Sequence, residues 1–511
     1  MRTKKEYALI SILVLSVLLV GSFTLVVTPF ALSSNVSNNA SKATFNLISM
    51  FDSKTLPGPQ PSPYCWIEGG TVLIMCYTPQ DLKTAYNYPN NLNGAGETIV
   101  IVDAFGSPTV QSDLDTFDTA FGLPATTLQI VCQDNAPSCP NPLATSDELG
   151  WTQEIALDTQ YAHAMAPLAH IVLFVGKSDD DLVLEQAVQQ AVNMFPHSII
   201  SQSWGDPELD MLQGTCTQGE VPPVPCNSAY VQQVLNTGES AYERAASEGT
   251  TVFASAGDLG ADLGYTSANP SWPASSPWVT AVGGTMGNPY YFNSIPSCTG
   301  WTCSTGLVSF LNTPSCQLNT ETPTSSASCL PVGYGGEQVW NEPSFNGASG
   351  GAPSLIFQLP FYQQGLGLKS RATPDVSYDA AVDGGVFGYW SAGVSSGIPG
   401  GFYIFGGTSA GSPQWSAIAA LADQYAATNH QGTIGFINPA LYEIGNNPFF
   451  YKNDFHDITV GNNILTGSPT GFNAHSGWDD ASGWGTPNVG NLIPDLVRLS
   501  LNSFSPSSTT Q

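Results

Sequence analysis

ETIVIVDAFG, residues 97–106, is a short apolar run that closes on an acid and a glycine. A continuous apolar stretch of this length, rich in β-branched residues, reads as a strand buried on both faces, the kind found in parallel sheets. HIVLFVG (170–176), SIISQSWG (198–205), TTVFASAGD (250–258) and WVTAVGGT (278–285) have the same form. Between them, DLVLEQAVQQAVNMF (181–195) and SAYVQQVLNTGESAYERAASEG (228–249) carry the helical period. The alternation predicts an α/β fold with a mostly parallel central sheet flanked by helices on both faces. Functional groups in such sheets gather at the carboxyl tips of strands, which singles out Asp103, Ser203 and Asp258. The stretch from 286 to 345 carries four cysteines among many Gly, Pro and Ser residues and reads as a disulfide-tied excursion.

The chain has 511 residues, of which only 10% are charged, yet 40 acidic groups face 12 basic ones for a formal balance of −28. Such a surface repels nucleic acid and offers no basic stripe, so no DNA or RNA partner is expected. An acidic habitat would relieve the mutual repulsion of the carboxylates, and plain solubility at neutral pH is the other reading of the same composition.

Residues 1–7 form a basic flank, and residues 8–32 are an almost unbroken apolar run that fits a signal peptide or a single membrane anchor. No clean small-x-small site precedes Ser33, which favours a retained anchor. Either way the remainder is expected outside the cell or on its surface. Residues 33–63 read as a Ser/Asn/Pro-rich linker with sequons at Asn35 and Asn39, residues 64–500 as one catalytic domain, and residues 501–511 as a polar tail. Ten cysteines in an exported chain point to disulfides. They fall in close couples: 65/76, 132/139, 216/226, 298/303 and 316/329, so local pairing is the simplest expectation.

Three segments carry candidate chemistry. GGTSAGSPQWSAIAALADQY (406–425) sets Ser409 between a glycine turn and a helical stretch, as a helix cap or as a nucleophile. TQEIALDTQYAHAMAP (152–167) puts Glu154 and Asp158 four positions apart, hence on one helix face with Cβ atoms about 6 Å apart. That pair is either a solvated acidic face, with Ala156, Leu157 and Tyr161 as the buried side, or a catalytic dyad. Asp258 in ASAGDLGA is a turn former, a calcium ligand or a catalytic acid.

These segments, in this order, resemble the sedolisin family of serine-carboxyl peptidases. YTPQDLKTAYNYP (77–89), SGGAPSLIF (349–357), RATPDVSYDA (371–380), FHDITVGNN (455–463) and SGWDDASGWGTPN (476–488) extend the resemblance over residues 77–495. It implies a subtilisin-like fold with a calcium-binding C-terminal loop. A Ser hydroxyl needs a base; His would be protonated in acid, whereas Glu titrates near pH 4 and is matched to that medium. Ser409 is therefore expected as nucleophile, Glu154 as general base and then acid, and Asp158 as the group that holds Glu154. The resemblance implies that protonated Asp258 donates to the oxyanion, and that one Ca²⁺ is bound by the carboxylates of Asp457 and Asp479 and the carbonyls of Ile458 and Gly477. Loop capping is the alternative for Asp457 and Asp479.

Two departures stand out. His475 occupies a position where the family usually has glycine, and the nucleophile turn reads Gly-Gly-Thr-Ser where Ser-Gly-Thr-Ser is typical. Residues 33–76 are too few for the family's large propeptide, so the chain is expected to fold without one or with one supplied separately. None of the six histidines sits in the His-Gly-Thr turn of a Ser-His-Asp enzyme. The expected activity is acid endopeptidase action on peptides or denatured protein through an acyl-enzyme, by a monomeric catalytic domain. The alternatives are a tripeptidyl-type exopeptidase and a non-catalytic surface binding protein.

Overall fold

The computed structural model describes residues 44–45, 48–50, 64–67, 72–213, 215–216, 224–225, 228–287, 298–299, 302–303 and 333–503. The apolar leader, most of the linker, most of the cysteine-rich excursion and the tail after 503 lie outside the described residues. Among the described residues no helix is long and apolar enough to cross a membrane.

The main sheet contains β1 (Thr98–Ala104), β2 (Gln129–Cys132), β3 (His170–Gly176), β4 (Ile199–Gln202), β5 (Thr251–Ser255), β6 (Thr280–Met286), β7 (Gln338–Val339) and β8 (Val376–Asp379). Its order is β7-β6-β5-β4-β1-β3-β2, with β8 also on β6. Every pairing is parallel except β6 with β7. The five apolar runs read from the sequence thus become adjacent central strands, because only a parallel sheet covered on both sides can bury runs such as Ile99–Val102 and Ile171–Val175 completely.

The principal helices are α1 (Val110–Phe121), α2 (Ser146–Met165), α3 (Asp181–Met194), α4 (Ser228–Ser247), α5 (Gly411–Thr428), α6 (Asn438–Asn446) and α7 (Val489–Ser503). α3 packs on α4, and α2 packs on α5, so the sheet lies between two helical layers. Phe253 of β5 stacks on Trp415 of α5 with ring centroids 6.3 Å apart. The pair Arg371–Asp375 sits wholly buried beside this core, joined at Nη1–Oδ1 2.7 Å and Nη2–Oδ2 2.5 Å. Tyr442 Oη and the Ala281 N–H complete the Asp375 shell at 2.7 and 2.8 Å.

α2 decides the character of the site. Thr145 and Glu148 close a capping box: the Glu148 N–H donates to Thr145 Oγ1 at 3.1 Å, and the Thr145 N–H donates to Glu148 Oε2 at 2.9 Å. From Leu149 to Met165 every residue is buried, whichever way it faces. A helix enclosed all round has no polar side, and the reading of Glu154 and Asp158 as a solvated acidic face is removed.

A second, smaller sheet carries the strand that leads to Ser409. Gly401–Gly406 pairs antiparallel with Gly385–Trp390, which pairs parallel with Val72–Tyr77. Ile48–Met50 adds antiparallel on the other edge of Gly401–Gly406, with Ile48 opposite Gly406. Thr44–Phe45 pairs antiparallel with Trp204 and Gly205, just beyond β4. Cys132 and Cys139 form a disulfide, as local pairing predicts, and Cys76 is also bonded. The side chains of the other seven cysteines lie outside the described residues or belong to strands described by backbone alone.

Candidate active site

Ser409 follows Gly407, whose φ of +102° is a left-handed value that a side chain would strain. The turn Thr408–Ala410 is a single 3₁₀ turn, and α5 begins at Gly411 with no side-chain capping bond. Ser409 is therefore not a cap. Its Oγ lies 3.4 Å from the Ser203 carbonyl, at the carboxyl end of β4.

The Ser409 turn packs against α2, and Glu154 on that helix has Ser409 as a hydrogen-bonding neighbour and Asp158 as a neighbouring charge. Both carboxyls are fully buried, as is Asp103 at the end of β1. Burial raises the pKa of Glu154 well above the usual range, and the charges of Asp158 and Asp103 add to the effect. The Ser409 hydroxyl acts in the opposite sense, as a hydrogen-bonding neighbour that favours the charged form. Its geometry is loose, and no oxygen of Glu154, Asp158 or Asp103 has a fully formed hydrogen bond among the described residues. Asp158 is likewise raised by burial and then by Asp103, with Ser203 and Glu154 lowering it as hydrogen-bonding neighbours. Burial pushes Asp103 up to about 8. Three enclosed carboxyls this close cannot all ionise, so they hold protons in common and titrate as a group.

Asp258 follows β5 and is also enclosed. Its Oδ1 accepts from the Thr408 N–H and the Thr408 hydroxyl, each at 2.8 Å, while Oδ2 has no partner among the described residues. Burial pushes its pKa up to about 7, against the two Thr408 bonds, which lower it. Gly350 explains the otherwise plain SGG segment. Its N–H donates to the Gly257 carbonyl at 2.7 Å, and a Cβ there would lie 2.0 Å from the Ala256 carbonyl oxygen. Only glycine lets that segment lie flat against the Asp258 loop.

The structure thus brings Ser409, Glu154, Asp158 and Asp258 to one place and leaves the metal candidates elsewhere. Asp103, which the sequence marks only as a strand-end acid, joins the carboxyl cluster. The available signal was an acid inside an otherwise apolar run. His163, the histidine of α2, is turned away: its Nε2 lies 2.9 Å from the Pro124 carbonyl and 3.3 Å from Asp118.

Asp457 and Asp479 lie on two loops joined at Asp457. The Gly477 N–H donates to Asp457 Oδ1 at 3.1 Å and the Ser476 hydroxyl donates to Asp457 Oδ2 at 2.8 Å, while within its own loop Asp479 Oδ2 accepts from the His475 N–H at 2.8 Å. Among the described residues no group of three or more His, Cys, Asp or Glu side chains is arranged to hold a metal, so a cation here would depend on backbone carbonyls as well.

No protein-family model matches the chain. Kumamolisin from Bacillus sp. (strain MN-32) is 28% identical over 435 residues, covering 82% of this chain and 64% of that protein. Sedolisin from Pseudomonas sp. (strain 101) is 27% identical over 436 residues, with coverage of 81% and 60%. Tripeptidyl-peptidase 1 from Homo sapiens is 30% identical over 283 residues, with coverage of 54% and 41%. The chain spans less than two thirds of the length of each of these relatives. A solved structure of Pseudomonas sedolisin, described as a serine-carboxyl proteinase complexed with two molecules of pseudo-iodotyrostatin, matches with a TM-score of 0.60 at 25% identity. The match covers 82% of this chain and 98% of that one.

Proposed function

The chain belongs to the sedolisin family, and from that premise we propose that it is an acid serine-carboxyl endopeptidase acting through an acyl-enzyme on Ser409. The observation that carries this reading is the enclosed carboxyl cluster on α2 beside a serine held on a positive-φ turn. Burial and the neighbouring carboxyls oppose ionisation of Glu154 while the Ser409 hydroxyl favours it, and we take the cluster to react with one negative charge, carried by Glu154 beside Ser409. Glu154 then takes the hydroxyl proton as Ser409 Oγ attacks the peptide carbonyl, and returns it to the leaving amine. Asp158 positions Glu154 and shares its proton. Asp258, protonated on the free Oδ2, donates to the developing oxyanion, which a carboxylate could not do. Water then attacks the ester with Glu154 again as base.

Digestion of casein across about pH 2 to 7 tests the reading. Activity is expected to peak in acid and to vanish in Ser409→Ala and Glu154→Gln; a fully active Glu154→Gln would remove it. A tripeptidyl-type exopeptidase would use the same groups, and the similarity to tripeptidyl-peptidase 1 is what favours that second reading.

A structural Ca²⁺ is part of the same proposal. The carboxylates of Asp457 and Asp479 with the carbonyls of Ile458 and Gly477 make an all-oxygen set of the kind calcium takes. The residues fit in that the Asp457 loop and the Asp479 loop are already tied together at Ser476 and Gly477. Bound there, the ion would supply charge neutralisation and a further tie between the loops. Export of the catalytic domain, read from the leader sequence, completes the proposal.

A further inference from the structure

Trp278, Phe361, Tyr362, Phe436 and Tyr442 line a cavity of about 450 Å³ that also has Glu443 and Asn446 in its wall. Neighbouring rings meet at steep angles: Trp278 with Phe436 at 55°, Phe436 with Tyr362 at 72°, Tyr362 with Tyr442 at 50° and Tyr362 with Phe361 at 82°. Rings set at such angles enclose a hollow, which stacked rings would fill. Trp278 lies just before β6, Phe361 and Tyr362 belong to the 3₁₀ turn Phe361–Gln363, and α6 supplies Tyr442, Glu443 and Asn446, whose spacing of three and four places them on one helix face.

The cavity is remote from the carboxyl cluster. Asn438 pins α6 to the start of β6: its Oδ1 accepts from Thr280 Oγ1 at 2.6 Å, and its Nδ2 donates to the Val279 carbonyl at 3.0 Å. β6 runs parallel to β5, and Asp258 follows the carboxyl end of β5 in the group that includes Ser409. The seven residues of β6 therefore set the two places roughly 20 Å apart.

The polar groups around the cavity narrow what it can hold. Tyr362 Oη donates to the Pro277 carbonyl and Tyr442 Oη to Asp375 Oδ1, each at 2.7 Å, so both tyrosines give the cavity their rings and not their hydroxyls. Asn446 Nδ2 is spent on the Tyr442 carbonyl at 2.8 Å. No Lys, Arg or His lines the cavity, and its single charged side chain is Glu443. Arg371, with its guanidinium carbon 5.9 Å from the Tyr362 centroid, is enclosed and neutralised by Asp375. Aromatic rings with negative faces, together with one carboxylate, suit an organic cation on an apolar stem. A sugar would need more polar partners than Glu443 and Asn446 provide.

We propose that this cavity is an exosite that takes a lysine or arginine side chain of a protein substrate. The formal charge of −28 draws basic polypeptides towards the surface and repels a second copy of the chain. Phe361, 65% exposed, and Glu443, also exposed, are the parts of the wall that an arriving chain meets first. Holding a substrate here and cutting it at Ser409 raises the local concentration of its bonds at the nucleophile, so the gain belongs to long, unfolded substrates. That the cation arrives on a substrate rests on the peptidase reading above; the preference for a cation rests on the cavity alone.

The test uses the full chain carrying Ser409→Ala, titrated by calorimetry at about pH 5 with an unfolded lysine-containing peptide of about 30 residues, long enough to span both places. Versions with norleucine or Nε-acetyl-lysine in place of lysine serve as the apolar and neutral comparisons. The lysine peptide should bind at least ~10-fold more tightly than either, and Glu443→Gln or Phe361→Ala should remove most of that difference. With Ser409 intact, kcat/KM for the lysine peptide divided by that for the norleucine peptide should fall ~10-fold in each of the two variants, through KM and not kcat. Equal binding of the lysine and norleucine peptides, a lysine preference that survives both variants, or tetramethylammonium binding at least ~10-fold more tightly than the lysine peptide would each overturn the exosite. Cleavage of both peptides without any lysine preference would do the same and leave the peptidase reading standing. Failure of the folded intact chain to cut either peptide would overturn the peptidase reading, and with it the substrate as the source of the cation, even where calorimetry shows the site.

Discussion

Thr408 grips a single oxygen of Asp258 twice, through its backbone N–H and its hydroxyl, each 2.8 Å from Oδ1. The Thr408 hydroxyl in turn accepts from the Gly257 N–H at 3.1 Å, which fixes its own proton towards Asp258. An oxygen that accepts two such bonds is a poor place for a proton, so the proton of the neutral acid belongs on Oδ2. Thr408 therefore decides which oxygen of Asp258 donates.

Asp258→Ala should lower kcat about 100- to 1,000-fold, the usual consequence of losing one oxyanion donor. Asp258→Asn keeps a donor that does not titrate. It should lose less, and the fall in activity that wild type shows as pH rises towards about 7 should be weakened. Pre-steady-state rates across pH would check both, and equal losses with unchanged profiles would argue against the assigned role.

Ser409→Ala and Glu154→Gln act on one proton transfer and should not add. Each alone should cost at least about 10⁴ in kcat, and the double variant no more than the worse single one. Active-site-titrated kinetics on a chromogenic peptide would measure this.

Thermal stability should be greatest in acid. Asp103 and Asp423 are pushed up to about 8, and Asp258, Glu342 and Asp480 up to about 7, in each case chiefly by burial. The native chain keeps these protons while the unfolded chain, with ordinary carboxyls near 4, has lost them. The native state binds more protons over that interval, so stability falls as pH rises from about 4 to about 8. His456 opposes this weakly: burial lowers it to about 4, which costs stability below its ordinary range. Tm measured by calorimetry should therefore drop between pH 5 and pH 8, and a rise would contradict the burial of these groups.

Asp375→Asn should destabilise the fold by about 3 kcal/mol or more, because it leaves the enclosed Arg371 guanidinium without its anion. Denaturant unfolding would read this as a shift in midpoint.

Chelation should lower Tm in wild type, and Asp479→Asn should remove most of that response. A Tm indifferent to both calcium and chelator would end the calcium assignment.

The central strands were legible because burial on both faces leaves a run with no polar alternation, as in Ile99–Val102. The gathering of Glu154, Asp158, Asp258 and Ser409 was legible only through the resemblance of the ordered set to the sedolisin family, since each segment alone also reads as a cap, a solvated face or a turn. The enclosure of α2 was not: Gln153, Thr159 and Gln160 look like a solvent face, and only the elements packed over them make them interior. Gln160, for example, bonds the backbone of Tyr389 from both ends of its amide, at 2.7 and 2.9 Å. Nor could the pairings of Thr44–Phe45 and Ile48–Met50 be read, since TFNLISM has no turn or period that names partners about 160 or about 350 positions away.

The enclosure of α2 ties catalysis to the integrity of the whole domain. Glu154 and Asp158 stand on a rod with no solvent-facing side that could fray by itself, and only global opening can displace them. Loss of turnover on heating should then coincide with the calorimetric transition, without the earlier softening seen where reactive groups ride on loops.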